Sequence, residues 1–209
     1  MSGVPTCPRC GRPVSGPSPP STAWHCHWHG EVFPLYTAYS VAGDGLGELL
    51  LDAAVPVWLP WPLPAGWLVT GFAGAGDRDT GVRACVVALA GPNPIGGGLG
   101  DMLLISEEPG IGLGARLAGI TGPDPGEGFA AGLPHALVRF GKHEFPLWHV
   151  AAPQRAAFAG EVLGNWLWIV LWPDTAGVLL VEALPLRDLR DPGQDLDLPF
   201  GPRSLRLPG

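Results

Sequence analysis

Alternation of side chains is clearest between Trp166 and Trp172. There Trp166, Trp168, Val170 and Trp172 fall on one face of an extended segment, and Leu167, Ile169 and Leu171 on the other. Apolar residues on both faces predict a central strand covered on both sides. Two hairpins follow from similar patterns. Trp67–Gly74 and Val82–Ala90 are apolar runs joined by Gly76-Asp77-Arg78-Asp79-Thr80-Gly81, which has turn chemistry. His135–Phe140 and His143–Val150 flank Gly141-Lys142, a two-residue turn with glycine first. In the second hairpin His143, Phe145, Leu147 and His149 share a face. Asp101–Glu108 predicts a strand ending in two carboxylates. Beyond a turn at 173–177, Val178–Leu184 predicts an antiparallel partner for the tryptophan strand, ended by Pro185. One helical pattern, Leu46, Leu49 and Leu50 behind the potential cap Asp44, predicts a short helix over Gly45–Ala54.

Proline and glycine set the connections. The chain holds 32 glycines and 25 prolines in 209 residues, more than a quarter of its length, which favours short strands and turns over long helices. Residues 55–67 carry Pro56, Pro60, Pro62 and Pro64, which exclude a helix interior and a central strand. This segment is extended or at a sheet edge. Its Trp58, Trp61 and Trp67 either pack on the sheet as a strap or, exposed, form a surface that engages a partner or ligand. Gly91–Gly100 is glycine-rich but lacks the Gly-Lys-Ser/Thr of a phosphate loop, so it reads as a connection. Arg116 is the only charge from Pro109 to Pro123. It bonds loop carbonyls, pairs with Glu107 or Glu108, or clamps an anion. Residues 186–209 read as an extended edge or a tail.

Hydrophobic residues make up 46% and mean hydropathy is +0.23, enough for a real core. The expected fold is α+β and mainly β: a small N-terminal module over residues 1–34 and an antiparallel β-rich domain over residues 35–209.

The N-terminal module carries the one explicit chemistry. Cys7 and Cys10 are separated by two residues, as are Cys26 and His29, with fifteen residues between the pairs. Two-residue spacing lets a tight turn present two ligands to one ion, and Gly11 and Gly30 follow each pair where positive φ is needed. His25 and His27 adjoin Cys26 and point away from it in an extended segment. The ligand set is therefore Cys7, Cys10, Cys26 and His29, a closed structural zinc site of Cys3His type with one Zn2+ per chain. A redox dithiol is disfavoured because no strand leads into Cys7. Cys85, within an apolar run, reads as a core residue. Thiols used for metal, with no secretory signal and no membrane helix, point to a reducing, cytoplasmic setting.

Net charge narrows the function classes. The chain carries −7 overall. Residues 1–34, with Arg9, Arg12 and Glu31, carry a formal +1, which a Cys3His zinc centre brings near neutral. Nucleic acid is a poor partner for such a module on an acidic body. Two readings remain. The first is a non-enzymatic binding or assembly protein that recognises another protein or a small apolar ligand through Trp58, Trp61 and Arg116 or through the sheet. The second is an enzyme with a site formed by Glu107, Glu108, Arg116 and a histidine of the 135–149 hairpin. The first is preferred, because no nucleophile, base and orienter can be assembled from spacing.

A resemblance covers nearly the whole chain. Cys-Pro-Arg-Cys-Gly with Cys-His-Trp-His-Gly, Val-Pro-Val-Trp-Leu-Pro-Trp-Pro-Leu-Pro (55–64), Leu-Gly-Ala-Arg-Leu-Ala-Gly-Ile (113–120), Gly-Pro-Asp-Pro-Gly (122–126), Pro-Leu-Trp-His-Val (146–150), Trp-Leu-Trp with Leu-Trp-Pro (166–173) and Leu-Arg-Asp-Leu-Arg-Asp (186–191) occur in order. Together they resemble a family of uncharacterised proteins from high-GC Gram-positive bacteria. The resemblance implies a zinc-ribbon-like N-terminus fused to a domain of unknown function, and it transfers no catalytic residue.

Overall fold

Antiparallel meanders make up most of the main sheet. The computed structural model describes residues 4–38, 43–191 and 197–207. The first meander contains β5 (Leu68–Asp77), β6 (Gly81–Pro92) and β7 (Leu99–Glu107). The second contains β8 (Ala136–Phe140), β9 (His143–Val150), β10 (Ala156–Val162) and β11 (Asn165–Trp172). They join where β11 pairs antiparallel with β7, Trp166 opposite Glu107 and Trp172 opposite Asp101. Three short strands complete the ten: β3 (Leu35–Thr37) at one edge, then β12 (Leu184–Asp188) and β4 (Trp58–Pro60) at the other, in the order β3-β5-β6-β7-β11-β10-β9-β8-β12-β4. A separate two-stranded sheet, β1 (Trp24–Cys26) with β2 (Gly30–Val32), lies beside the N-terminal cysteines. The architecture is mainly β and antiparallel. Among the described residues no helix is long and apolar enough to cross a membrane.

Both hairpins form at the predicted turns. Asp77 pairs with Gly81, and Asp77 Oδ1 accepts the N–H groups of Asp79 and Thr80 and the Thr80 hydroxyl, which braces the turn. Phe140 pairs with His143 across Gly141-Lys142. The helix α1 (Gly43–Asp52) overlaps the predicted Gly45–Ala54 but starts and ends two residues earlier, and the residue before it lies outside the described ones.

The tryptophan strand β11 is central, and its two faces enter two cores. Leu167, Ile169 and Leu171 pack with Val87, Leu89, Met102, Leu104 and Phe158. The sheet curls around this first core, so that β4 packs across it against β7. Trp168, Val170 and Trp172 enter the second core, where the neighbouring strands present mostly small side chains, Ala73, Ala84, Ala88, Ala157 and Ala159. Small residues there leave room for a helix to approach closely. That helix is α2 (Leu113–Ala118). Sequence patterning leaves residues 109–134 without structure, because Gly112, Gly114 and Gly119 lower helix propensity. Tertiary packing reverses this: a Cβ on Gly114 would overlap the Trp168 indole, so glycine is required where the helix meets the sheet.

One expectation needs correction, and two alternatives that the sequence left open are decided. Val178–Leu184 is not the antiparallel partner of β11. Asp174–Leu180 forms a 3-10 helix instead, and the neighbours of β11 are β7 and β10. An apolar run alone does not separate a buried strand from a buried helical turn. The strand that follows, β12, pairs in parallel with β8 and antiparallel with β4. Second, Trp58 and Trp61 do not form an exposed partner surface. Trp58 is 1% exposed and meets Phe140 edge-on at 4.9 Å, and Trp61 is half-buried against the same core. The 55–67 segment is therefore a strap, fastened by the buried Asp188, whose Oδ1 accepts the Val57 N–H at 3.0 Å while its carboxylate pairs with Arg190 at 2.7 Å. Third, the described part of the C-terminal segment is not loose. Val69 donates to Pro199 O, Gly201 to Val69 O and Ser204 to Thr70 O, so residues 199–204 run along β5. Residues 192–196 and 208–209 of that segment lie outside the described ones.

The Gly114 contact gives a direct test. Gly114→Ala adds a good helix former, yet its methyl collides with Trp168. Overpacking is expected to lower stability by about 2 kcal/mol, measured by urea denaturation, whereas a solvent-facing glycine in a helix would gain from the same change.

Candidate metal centre

Two tight turns bring the four predicted ligands together. In the first, Gly11 N donates to Cys7 O at 2.8 Å, and Gly11 takes φ +73. In the second, Gly30 takes φ +69 after His29. Each turn aims backbone N–H groups at its leading sulfur, those of Arg9 and Cys10 at Cys7 and those of Trp28 and His29 at Cys26. Cys7, Cys10, Cys26 and His29 offer ligand atoms that all lie within 4.8 Å of one another, close enough to hold a metal ion.

The separations can be compared with a real coordination shell. Metal–sulfur bonds of ~2.3 Å and a metal–nitrogen bond of ~2.0 Å in a tetrahedron place S···S at about 3.75 Å and S···N at about 3.5 Å. Cys10 Sγ lies 3.7 Å from Cys26 Sγ, and His29 Nδ1 lies 3.5 Å from Cys7 Sγ and 3.6 Å from Cys26 Sγ. The donor set therefore fits a four-coordinate ion, with His29 acting through Nδ1. His25 and His27 stand outside it. His25 is tied through its backbone to Ser15 and lies 3.9 Å from Glu31, while His27 stacks edge-on against Trp28.

Burial without a counter-charge disfavours the Cys7 thiolate beside its neighbours. Burial, partly offset by the N–H groups of Cys10 and Arg9, pushes the Cys7 thiol up to about 12. At Cys26 burial also raises the value, but N–H groups from Trp28 and His29 and the His29 ring outweigh it and bring the thiol down to about 6. A cation in the middle would remove this conflict and ionise all three. Cys85 is unrelated to the cluster. It is buried, donates to Pro56 O and is pushed up to about 12 by burial.

The metal loop is fastened to the second core by two arginines. Arg9 donates to Gly110 O at 2.5 Å and Ile111 O at 3.2 Å, just before α2. Arg116, on α2, donates to Cys7 O at 3.3 Å, and its guanidinium lies so close to Gly11 that a Cβ there would overlap it. Burial lowers the Arg116 guanidinium, while Cys10 and Cys7 act to keep it charged. Arg116 thus belongs beside the thiols, bonding a loop carbonyl as one of the sequence readings has it. Among the described residues no ion pair joins it to a glutamate.

The other residues considered for chemistry are not brought together. Glu107 is fully buried and accepts the N–H groups of Leu113 at 2.7 Å and Gly114 at 3.1 Å, capping α2. Glu108 pairs with Arg83 at 2.6 Å. His149 lies on the opposite sheet face from Glu107, against Phe158 and His135. The enzyme site proposed around Glu107, Glu108, Arg116 and a hairpin histidine is therefore not assembled, because each carboxylate and the arginine has a separate structural partner.

Residues 1–207 match a family described as a family of unknown function, DUF6758. The chain belongs to this family. No curated protein and no solved structure matches it.

Sequence spacing finds the four clustered donors but misses the role of Glu107 as the cap of α2. Its signal, a lone carboxylate six residues before a short glycine-punctuated stretch, is legible only once Leu113 and Gly114 are seen to open a helix. Burial raises Glu107 from its ordinary 4.5 to about 7, against the opposing effect of the Leu113 and Gly114 N–H groups. The folded protein then keeps a proton that the unfolded chain loses above pH 4.5. Stability from this group is full below that pH, falls by ~3 kcal/mol as pH rises toward 7, and is level beyond. Urea denaturation at pH 5 and pH 8 should show this decline in the wild type relative to Glu107→Gln, which cannot titrate.

Proposed function

We propose that the chain is a non-enzymatic binding or assembly protein whose residues 1–34 form a structural zinc ribbon clipped onto a β-rich domain of residues 35–209. The observation that carries the reading is the closed donor set. Four protein donors within 4.8 Å of one another, three of the separations matching a tetrahedral shell, fill a four-coordinate site without a substrate or an activated water, and two cysteine-bearing turns favour zinc. Three thiolates and a neutral imidazole give a zinc centre a net −1, and Arg116 supplies the compensating charge. A reducing, cytoplasmic setting suits such thiols. The metal then acts on shape: it folds a loop that would otherwise lack a core, and Arg9 and Arg116 hold that loop against the sheet. The junction of loop and sheet is a trough of about 420 Å³, bordered by Trp24, Phe33 and Ile111, where a partner protein or a small ligand has room.

Elemental analysis of purified protein should give about one zinc per chain. Cys26→Ser should lose the metal and the ordered amide spectrum of residues 4–34, since binding energy in such modules is folding energy. Full metal content in that variant would remove the assignment. Arg116→Gln keeps all four ligands but loses the neighbouring charge, and zinc affinity measured by chelator competition should fall 10–100-fold.

A further inference from the structure

Two open troughs meet at Trp24. The first, of about 420 Å³, lies between the metal loop and the sheet and is lined by Trp24, Val32, Phe33 and Ile111, with Glu31, Asp77 and Glu108 among its polar groups. The second, of about 650 Å³, lies on the other side, between the Pro17 loop and α1, and includes Trp24, Tyr36 and the exposed Leu51 beside Glu48, Asp52 and Asp79. Trp24 and Asp77 belong to both, so the two form one groove with a half-buried indole as its central ridge. Trp24 is held in place by an edge-on contact with Tyr36 at 6.4 Å and by a hydrogen bond from its indole to Asp77.

The charge of this groove is one-sided. Six carboxylates line it against two guanidiniums, a formal −4. Of the two, Arg9 is already bonded to the Gly110 and Ile111 carbonyls. Counting Arg83, which pairs with Glu108, still leaves −3. Such a groove repels phosphates and carboxylates and attracts cations. The aromatic walls add a second selectivity, because an indole face favours guanidinium and ammonium groups and apolar side chains alike. A groove in two compartments separated by a ridge suits an extended chain that places alternate side chains on either side better than it suits one compact molecule.

We infer that the groove centred on Trp24 binds an extended, cationic peptide segment of a partner protein, arginine or lysine alternating with apolar residues. This rests on the binding reading above and specifies the partner's chemistry. The cationic side chains meet the rim carboxylates of Glu31 and Asp79, and the apolar ones fill the spaces beside Trp24. The metal loop forms one wall, so zinc enters the function by shaping that wall.

The test uses the full-length, zinc-loaded protein and a fluorescein-labelled nonapeptide of alternating arginine and leucine. Glutamate–leucine and glycine–serine nonapeptides, a single-stranded oligonucleotide and spermine serve as comparisons. Saturable binding of the arginine–leucine peptide is expected. Amide and indole shifts should concentrate at Trp24, Phe33, Tyr36 and Ile111, affinity should fall at higher salt, and Glu31→Lys with Asp79→Lys should weaken it at least tenfold. Glu31 and Asp79 have exposed side chains, so the variant is expected to fold, and its unchanged amide dispersion and zinc content verify this. The inference is overturned by absence of saturable binding up to millimolar peptide, by shifts that map elsewhere, or by equal binding of the glutamate–leucine peptide or the oligonucleotide. Spermine binding the same residues as tightly as the peptide would also overturn it, in favour of a small-cation site. Zinc content, measured on the same samples, separates a failure of this inference from a failure of the metal assignment.

Discussion

The approach of α2 to the sheet governs most of what surrounds the metal loop. Gly114 lets the helix backbone lie on the Trp168 indole, and Glu107, from the adjoining strand, closes the helix by accepting two N–H groups at its start. A six-residue helix has little stability of its own. Its place is set by a missing Cβ, a buried carboxylate and the alanine-rich face beneath it. Only with α2 in that position does Arg116 reach Cys7 O, and only with the preceding turn in place do Gly110 and Ile111 present carbonyls to Arg9. The second core and the metal loop are thus coupled through one short helix.

This coupling explains why the N-terminal residues are more than a tethered knuckle. Thr6 pairs with Leu35, so the chain passes from the metal loop straight into the edge strand β3. The two sheet faces have different tasks. One curls around large aliphatic and aromatic side chains and is closed by the proline strap. The other presents many alanines around Trp168, against which α2 packs. A trough results wherever the loop does not reach the sheet, and its walls inherit residues from both.

The acidic character of the groove has a similar structural origin. Asp77 braces a hairpin turn, and Glu108, just past the end of β7, pairs with Arg83. Residues placed for local reasons thus converge on one surface. Of the two adjacent carboxylates, Glu107 is buried as the cap of α2 and Glu108 borders the groove.

Local chemistry was enough to read several features from sequence. The ligand spacing with its trailing glycines, the two hairpin turns, the double-sided apolar pattern of Trp166–Trp172 and the prolines that keep residues 55–67 at an edge all act over a few residues. What sequence left open depends on contacts between distant segments. Whether Trp58 is buried was decided by the curl of the sheet. That Val178–Leu180 coils where a strand was expected was decided by β10 and β7 already occupying both edges of β11. Residues 113–118 are helical because Trp168 and Glu107 lie beneath them, against their own low propensity. Arg116 stood out in the sequence as a lone charge, but its partner, a carbonyl 109 residues earlier, could be supplied only by the fold.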